Sequence, residues 1–216
     1  MPAPVAIGIS EAERVYGRLM AHAAGAGNDQ AFATMIASQA AGRGALPPWL
    51  GLEPAAYRCL LEYHFPGIGI DRVGHLDLQR ERAGAGSFAG LDRIALAGLA
   101  CVAPGDPRAD ERDELVRLLL LDKAGESPSE VWMAHVVAAG CMGAAHLWED
   151  LGLTCRGELN ALMRRNFPSL AARNVKDMKW KRFLYKQLCA AEGIYTCRAP
   201  SCEVCTDYHV CFGPAQ

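Results

Sequence analysis

The sequence predicts an all-α fold, an irregular helical bundle that ends in a cysteine-rich loop, and three observations lead there. Ala- and Leu-rich blocks of helix length fill most of the 216 residues. The Val/Ile/Thr alternation that builds a large sheet is scarce in the middle of the chain. The last twenty residues crowd four cysteines, Cys197, Cys202, Cys205 and Cys211, onto a stretch where Pro200 and Gly213 oppose one uninterrupted helix.

The first helix is read over about 10–24. Ser10 stands three residues before Glu13, the spacing of a capping box, and Val15, Leu19 and Met20 begin an apolar face. A second Ala-rich helix covers about 29–41. Pro47 and Pro48 interrupt the pattern, and Pro54 suits the first turn of a third helix carrying Tyr57, Leu60, Leu61 and His64. His64 has no ligand pattern beside it and reads as a packed or surface histidine rather than a metal ligand. Repeated glycines and charged pairs make 66–90 an exposed, irregular connection, and neither PGIGID nor GAGSFAG is a phosphate-binding motif.

Leu91, Ile94, Leu96 and Leu99 suggest a short helix that APGDPRAD ends. Asp110 and Asp113 open the next, packed through Leu115, Leu118, Leu119 and Leu121. A longer helix is expected from about Ser129 to Trp148, with Gly140 and Gly143 permitting a bend or a close contact. Gly152 can end it before a helix bearing Leu159, Leu162 and Met163. No heptad or internal repeat is read through these regions. The segment 174–188 is expected to be an amphipathic helix: Trp180, Leu184 and Leu188 recur every four residues, while Lys179, Arg182 and Lys186 project elsewhere and can meet an anion. Trp180, Phe183 and Tyr185 read as packing residues rather than a stacking platform for bases.

With 22 Lys and Arg against 24 Asp and Glu, the net charge of −2 offers no general attraction to nucleic acid or to a membrane, and neither is an expected partner. The N-terminal stretch lacks a basic segment followed by an apolar run, and nothing reads as a membrane span, so a cytoplasmic, reducing setting is expected. The expected organisation is a mainly helical body over 1–188 and a cysteine-rich terminal module over 189–216, packed on that body.

Of nine cysteines, Cys59, Cys101, Cys141, Cys155 and Cys189 are dispersed and read mostly as buried apolar side chains. The other four follow the pattern Cys-x4-Cys-x2-Cys-x5-Cys. Four thiolates gathered without a cation repel one another, so the pattern asks for a metal and makes the terminus a C-terminal cysteine-rich metal-binding loop. Zinc, an iron–sulfur cluster, and disulfide or redox chemistry all remain open on spacing alone. Cys141, His146, Asp150 and Cys155 suggest a second set. On one continuous helix His146 and Asp150 are i, i+4 neighbours, which fits a structural histidine–carboxylate pair or support for the terminal site.

Three blocks, HLWEDLGL at 146–153, NFPSLAARNVKDMKWKRFLYKQLC at 166–189 and CRAPSCEVCTDYHVCFG at 197–213, closely resemble the nitrogen-fixation protein Q family. LPPWLGL and HFPGIGI are family-like as well, and the four-cysteine spacing shows no departure. The resemblance implies a molybdenum–iron–sulfur cluster carrier that donates molybdenum to the iron–molybdenum cofactor of nitrogenase. It implies Cys197, Cys202, Cys205 and Cys211 as ligands, and nitrogenase cofactor scaffold and assembly proteins as partners. Cys189 is a further candidate ligand during transfer, and His209 a candidate support for the metal. A structural zinc module that recruits another protein, and a thiol redox enzyme, are the alternatives; the cysteine pattern implies no catalytic turnover.

Overall fold

A computed structural model describes residues 10–69 and 107–192, with side chains described through Ala190, and its regular elements there are helices. They are α1 (Glu11–Ala21), α2 (Asp29–Ala40), α3 (Pro54–His64), α4 (Ala109–Leu121), α5 (Ser129–Cys141), α6 (Leu147–Asp150), α7 (Arg156–Asn166), α8 (Pro168–Arg173) and α9 (Trp180–Glu192). The all-α, irregular bundle is therefore as the sequence predicts. The expected helix at 91–99 and residues 70–90 of the irregular connection lie outside the described residues.

The capping box of α1 forms: the Glu13 N–H donates to Ser10 Oγ at 3.2 Å and the Ser10 N–H to Glu13 Oε2 at 2.8 Å. Val15 and Leu19 then face the core. α5 is the most enclosed helix, with Trp132, Met133, Val136 and Val137 all buried. Most of its circumference is covered, as expected of a helix near the centre of a bundle, with His135 only partly so beside Arg112 and Asp113.

An internal repeat, absent from the sequence reading, organises the bundle. The group α1–α2–α3 recurs as α4–α5–α7. Buried positions match 100 residues apart in the first two helices, as in Leu19 and Leu119 or Phe32 and Trp132, and 102 apart at the end of the third, in Phe65 and Phe167. Backbone details repeat with them. Gly25 and Gly125 both have φ of 83°. Phe65 has φ −135° and ψ 62°, Phe167 φ −136° and ψ 61°. The Ala24 N–H donates to the His64 carbonyl and the Ala124 N–H to the Asn166 carbonyl, each at 2.9 Å. In each copy a carboxylate beside the second helix gathers loop N–H groups: Asp29 takes Gly25 and Ala26, and Glu130 takes Gly125 and Glu126. Side-chain chemistry diverged while backbone requirements did not, which hid the relation from apolar periodicity.

The two copies meet at a buried polar seam. Asn28 Nδ2 donates to Ser129 Oγ at 2.8 Å and to Asn166 Oδ1 at 2.6 Å, and Asn166 Nδ2 returns a bond to Asn28 Oδ1 at 3.1 Å. Mutual pairing is what allows these amides to be buried. His64 is fully buried among Phe32, Tyr63, Phe65 and Trp132, with Nδ1 2.6 Å from Asp29 Oδ1. Its reading as a packed histidine holds.

Two helix boundaries differ from expectation. The helix expected over Ser129–Trp148 stops at Cys141, and α6 begins only at Leu147. Gly143 lies in the break because the chain there runs against Asp150: a Cβ on Gly143 would come within 2.4 Å of the Asp150 carboxyl carbon. The helix expected over 174–188 starts at Trp180. Asn174 holds the preceding turn, accepting the Met178 N–H at 2.9 Å and donating to the Met178 carbonyl at 3.0 Å, and Asp177 takes a positive φ of 46°. Side-chain bonding of this kind competes with helix.

Burial holds the His64 pKa below its ordinary value, against the opposing pull of Asp29. His135 is lowered to about 4 by burial and by the neighbouring Arg112, with Asp113 opposing. Below an unfolded pKa of about 6.5 the unfolded chain therefore binds protons that the folded chain refuses. Stability is fully present above that value and falls as pH drops toward 4. Urea midpoints measured from pH 7 to 4.5 are expected to decline across this window, and less so in His135→Gln. A midpoint that rises on acidification would contradict the neutral buried histidines.

Candidate functional site

The helix that leads to the terminal cysteines is held on the body by two polar clusters. α9 packs through Trp180, Leu184 and Tyr185, all buried, and Leu188, half-buried; Lys181 lies on the same side of the helix. Lys181 Nζ pairs with Asp150 Oδ2 and donates to the Gly143 carbonyl at 2.8 Å. Its side chain is 12% exposed and that of Asp150 5%, so the pair is largely withdrawn from water. Asp150 also accepts the Ala145 N–H at 3.1 Å, while its carbonyl accepts the Ala45 N–H at 2.8 Å. One residue thus joins α9 to the loop after α5 and to the first copy of the repeat.

One turn further on, Tyr185 donates its hydroxyl to Glu111 at the start of α4. Arg108 completes this second cluster. It forms a forked pair with Glu111 at 2.8 and 3.0 Å and donates to Tyr185 at 3.2 Å and to the Met142 carbonyl at 2.9 Å. The Glu111 bond raises the Arg108 pKa, and burial followed by the Glu111 bond raises that of Tyr185. Both groups therefore keep their protons near neutral pH.

Cys141 is fully buried near the two clusters. Burial pushes its thiol up to about 12, overcoming the opposite pull of Lys181. It is a neutral packing thiol, as the dispersed cysteines were expected to be. Cys59, half-buried, is raised by desolvation, whereas Cys155 departs from the expected burial and is exposed at the start of α7.

The second metal set suggested by sequence is not assembled. Asp150 is engaged with Lys181 rather than His146. His146 is exposed, and its backbone N–H donates to Glu149 at 2.9 Å as α6 begins. The i, i+4 argument failed because His146 is the N-cap of α6, with extended backbone (φ −67°, ψ 147°), so its side chain is not placed as that of a residue inside the helix would be. Among the described residues, no three His, Cys, Asp or Glu side chains are grouped to hold a metal ion. A cleft of about 730 Å³ opens between α1–α2 and α6–α7, yet its carboxylates, Glu13, Glu149 and Glu158, are already drawn to the N–H groups of Ser10, His146 and Thr154.

Cys197, Cys202, Cys205, Cys211 and His209 lie outside the described residues. Of the cations expected to face an anion, Lys186 is exposed and Lys179 and Arg182 are half-buried; Cys189 is half-buried near the end of α9. The sequence reading missed Lys181, Glu111 and Arg108, and it took Tyr185, which is indeed packed, for a packing residue alone. A signal existed for two of them, since Lys181 and Tyr185 each follow a member of the Trp180–Leu184–Leu188 stripe and share its face.

The NifQ family model matches residues 31–213, a span that includes all four terminal cysteines. The chain is 44% identical over 179 residues to Protein NifQ of Azotobacter vinelandii, covering 83% of this chain and 85% of that protein. It is 33% identical over 176 residues to Protein NifQ of Rhodobacter capsulatus, covering 81% and 82%. Protein NifQ of Klebsiella pneumoniae is 32% identical over 175 residues, covering 80% of this chain and 90% of that protein. No solved structure matches the chain.

Removing one member of a buried ion pair leaves the other charge uncompensated. Asp150→Ala is therefore expected to destabilise the fold by about 3 kcal/mol, against about 1 kcal/mol for the exposed cap variant Glu149→Ala. Gly143→Ala should also be costly, by about 2 kcal/mol, because its methyl group meets the Asp150 carboxyl. Urea unfolding followed by circular dichroism measures all three, and equal losses for Asp150→Ala and Glu149→Ala would show that Asp150 has no special structural weight.

Proposed function

The chain belongs to the NifQ family, and on that premise we propose that it carries a molybdenum–iron–sulfur cargo and donates molybdenum to iron–molybdenum cofactor assembly. The observation carrying this reading is that the family match continues through the run of four cysteines at 197–211. Thiolates are soft ligands suited to iron–sulfur chemistry, and four of them within fifteen residues form a local anchor that needs no long loop closure. Cys197, Cys202, Cys205 and Cys211 hold the cargo, and His209 and Cys189 are available to assist as it is passed on.

Donation requires a site that protects the cargo yet yields it to competing ligands on an acceptor. The acceptors in this reading are the nitrogenase cofactor scaffold and its assembly partners. Arg182 and Lys186 on α9, with Lys179 just before it, form a basic face away from the packed side, suited to guiding an acidic surface into place. Salt screens charges near the surface over about 10 Å at 0.1 M. Neutralising the three residues is therefore expected to slow association with a scaffold acceptor more at low salt than at high salt.

Replacing each terminal cysteine by serine removes a soft ligand. Iron, sulfide and molybdenum contents of anaerobically isolated protein are expected to fall together while helicity stays unchanged. Full cluster content in all four single variants would reject the ligand assignment, and zinc as the sole bound metal would favour a structural module instead. Direct donation is tested by loading labelled molybdenum and following it onto a purified scaffold in the presence of a strong external chelator. Label intercepted by the chelator while assembly still proceeds would replace donation with a recruitment role.

A further inference from the structure

We propose that Lys181 and Tyr185 are positioning residues: their polar clusters fix α9 on the body and thereby set how firmly the terminal cysteines retain metal. The inference rests on the reading that those cysteines are ligands, and it assigns the control of retention to residues outside the cysteine run.

Connectivity supplies the first step. α9 ends at Glu192, five residues before Cys197, so the cysteine-rich terminus is tethered to the body through this helix. The second step is the chemistry of its attachment. Trp180, Leu184 and Leu188 alone make an apolar face that can slide or rotate by one turn at modest cost, because apolar contact is non-directional. Lys181 and Tyr185 remove that freedom. Lys181 must meet the Asp150 carboxylate and the Gly143 carbonyl at once, and Tyr185 must meet a carboxylate already forked by Arg108. A one-turn slip would leave a buried ammonium, a carboxylate and a phenol without their partners. Directional bonds among desolvated groups thus select one register where packing alone selects several.

The repeat supplies an independent argument. A carboxylate that belonged to the scaffold in general would recur at the matching position of the first copy, and the sequence there does not keep it. At the offset of 101 that aligns the two Leu-Gly-Leu runs, Gly143 corresponds to Gly42, whereas Asp150 corresponds to Trp49. The glycine is common to both copies, but Trp49 brings no carboxylate. The carboxylate that receives Lys181 is thus a feature of the second copy, the one followed by the helix leading to the cysteines. The ring nitrogen of Trp180, bonded to Asn160 at 2.6 Å, gives α9 a further fixed point on α7.

The experiment uses the full chain in two arms. In metal-free protein, hydrogen exchange compares α9 amides with those of α5 in Lys181→Met and Tyr185→Phe, the latter losing a single oxygen atom. Lys176→Met, which removes a charge from the exposed turn before α9, is the control. Exchange in α9 is expected to quicken about tenfold in both variants, with α5 and the control unchanged. In the second arm, one equivalent of cobalt(II), whose absorption reports thiolate ligation, is bound and then extracted by a chelator. Extraction is expected to be about five- to tenfold faster in both variants, within the range that supporting residues exert on metal sites. Unchanged α9 exchange overturns the proposal, and so does faster α9 exchange with unchanged cobalt extraction. Equal acceleration of α5 and α9 in Tyr185→Phe overturns it as well, since the hydroxyl would then support the whole body. Cobalt that finds no thiolates in the unaltered chain sinks the cysteine assignment itself, a result seen before any variant is made.

Discussion

The contact between Asp150 and Lys181 is the constraint to which the second half of the molecule conforms. A carboxylate only 5% exposed needs partners on several sides, and the chain supplies them from separate places: the Lys181 ammonium from α9, the Ala145 N–H from the preceding loop, and room from Gly143. Each is a local departure from what the surrounding residues would otherwise do. The helix after Ser129 ends early, Gly143 gives up a side chain, and a lysine faces inward from a helix whose other lysine, Lys186, is exposed. Such a pair contributes less to net stability than to uniqueness, because desolvation offsets much of its attraction whereas any misplacement strands a charge.

Behind this contact stands the doubled helical motif. Duplicated backbones leave two similar surfaces that must be joined, and here the join is polar: Asn28 and Asn166 exchange bonds in both directions, with Ser129 accepting a third. Tyr63, one residue before His64, reaches Ser127 at 3.3 Å across the same boundary. An amide pair of this sort admits one register only, as buried polar residues do in coiled helices. The copies then diverged according to what each must hold. The first keeps a histidine on Asp29 at the end of its third helix; the second places asparagine there and turns it toward its sibling.

Helical class, the α1 capping box, the packing side of α9 and the inert character of Cys141 were legible because each rests on spacing or composition within one segment. The terminal cysteines stand out as candidate ligands in the sequence because thiol spacing needs no tertiary information, and they lie outside the described residues. What escaped was whatever depends on an encounter between distant segments. Nothing near Asp150 in the sequence announces Lys181, and His146 at i−4 offered a nearer but wrong partner. Gly140 and Gly143 marked a weak point near Cys141, but the break itself is fixed by the approach of Asp150 to Gly143, which no local propensity announces. The repeat left faint marks, Leu-Gly-Leu at 50–52 and 151–153 and Phe-Pro at 65–66 and 167–168, too short to notice without the matching backbone angles.

The amide exchange at the seam also bears on the order of events during synthesis. A nascent chain that has exposed only its first three helices carries an Asn28 amide and a Tyr63 hydroxyl whose partners are still to be made. Asn166 follows Asn28 by 138 residues, which at translation speeds of about 5–20 residues per second is a wait on the order of ten seconds. During that interval the face destined for the second copy stays wet and its polar groups bond to water. The first copy is thus held back from early closure upon itself, and its completion falls to the half that arrives last.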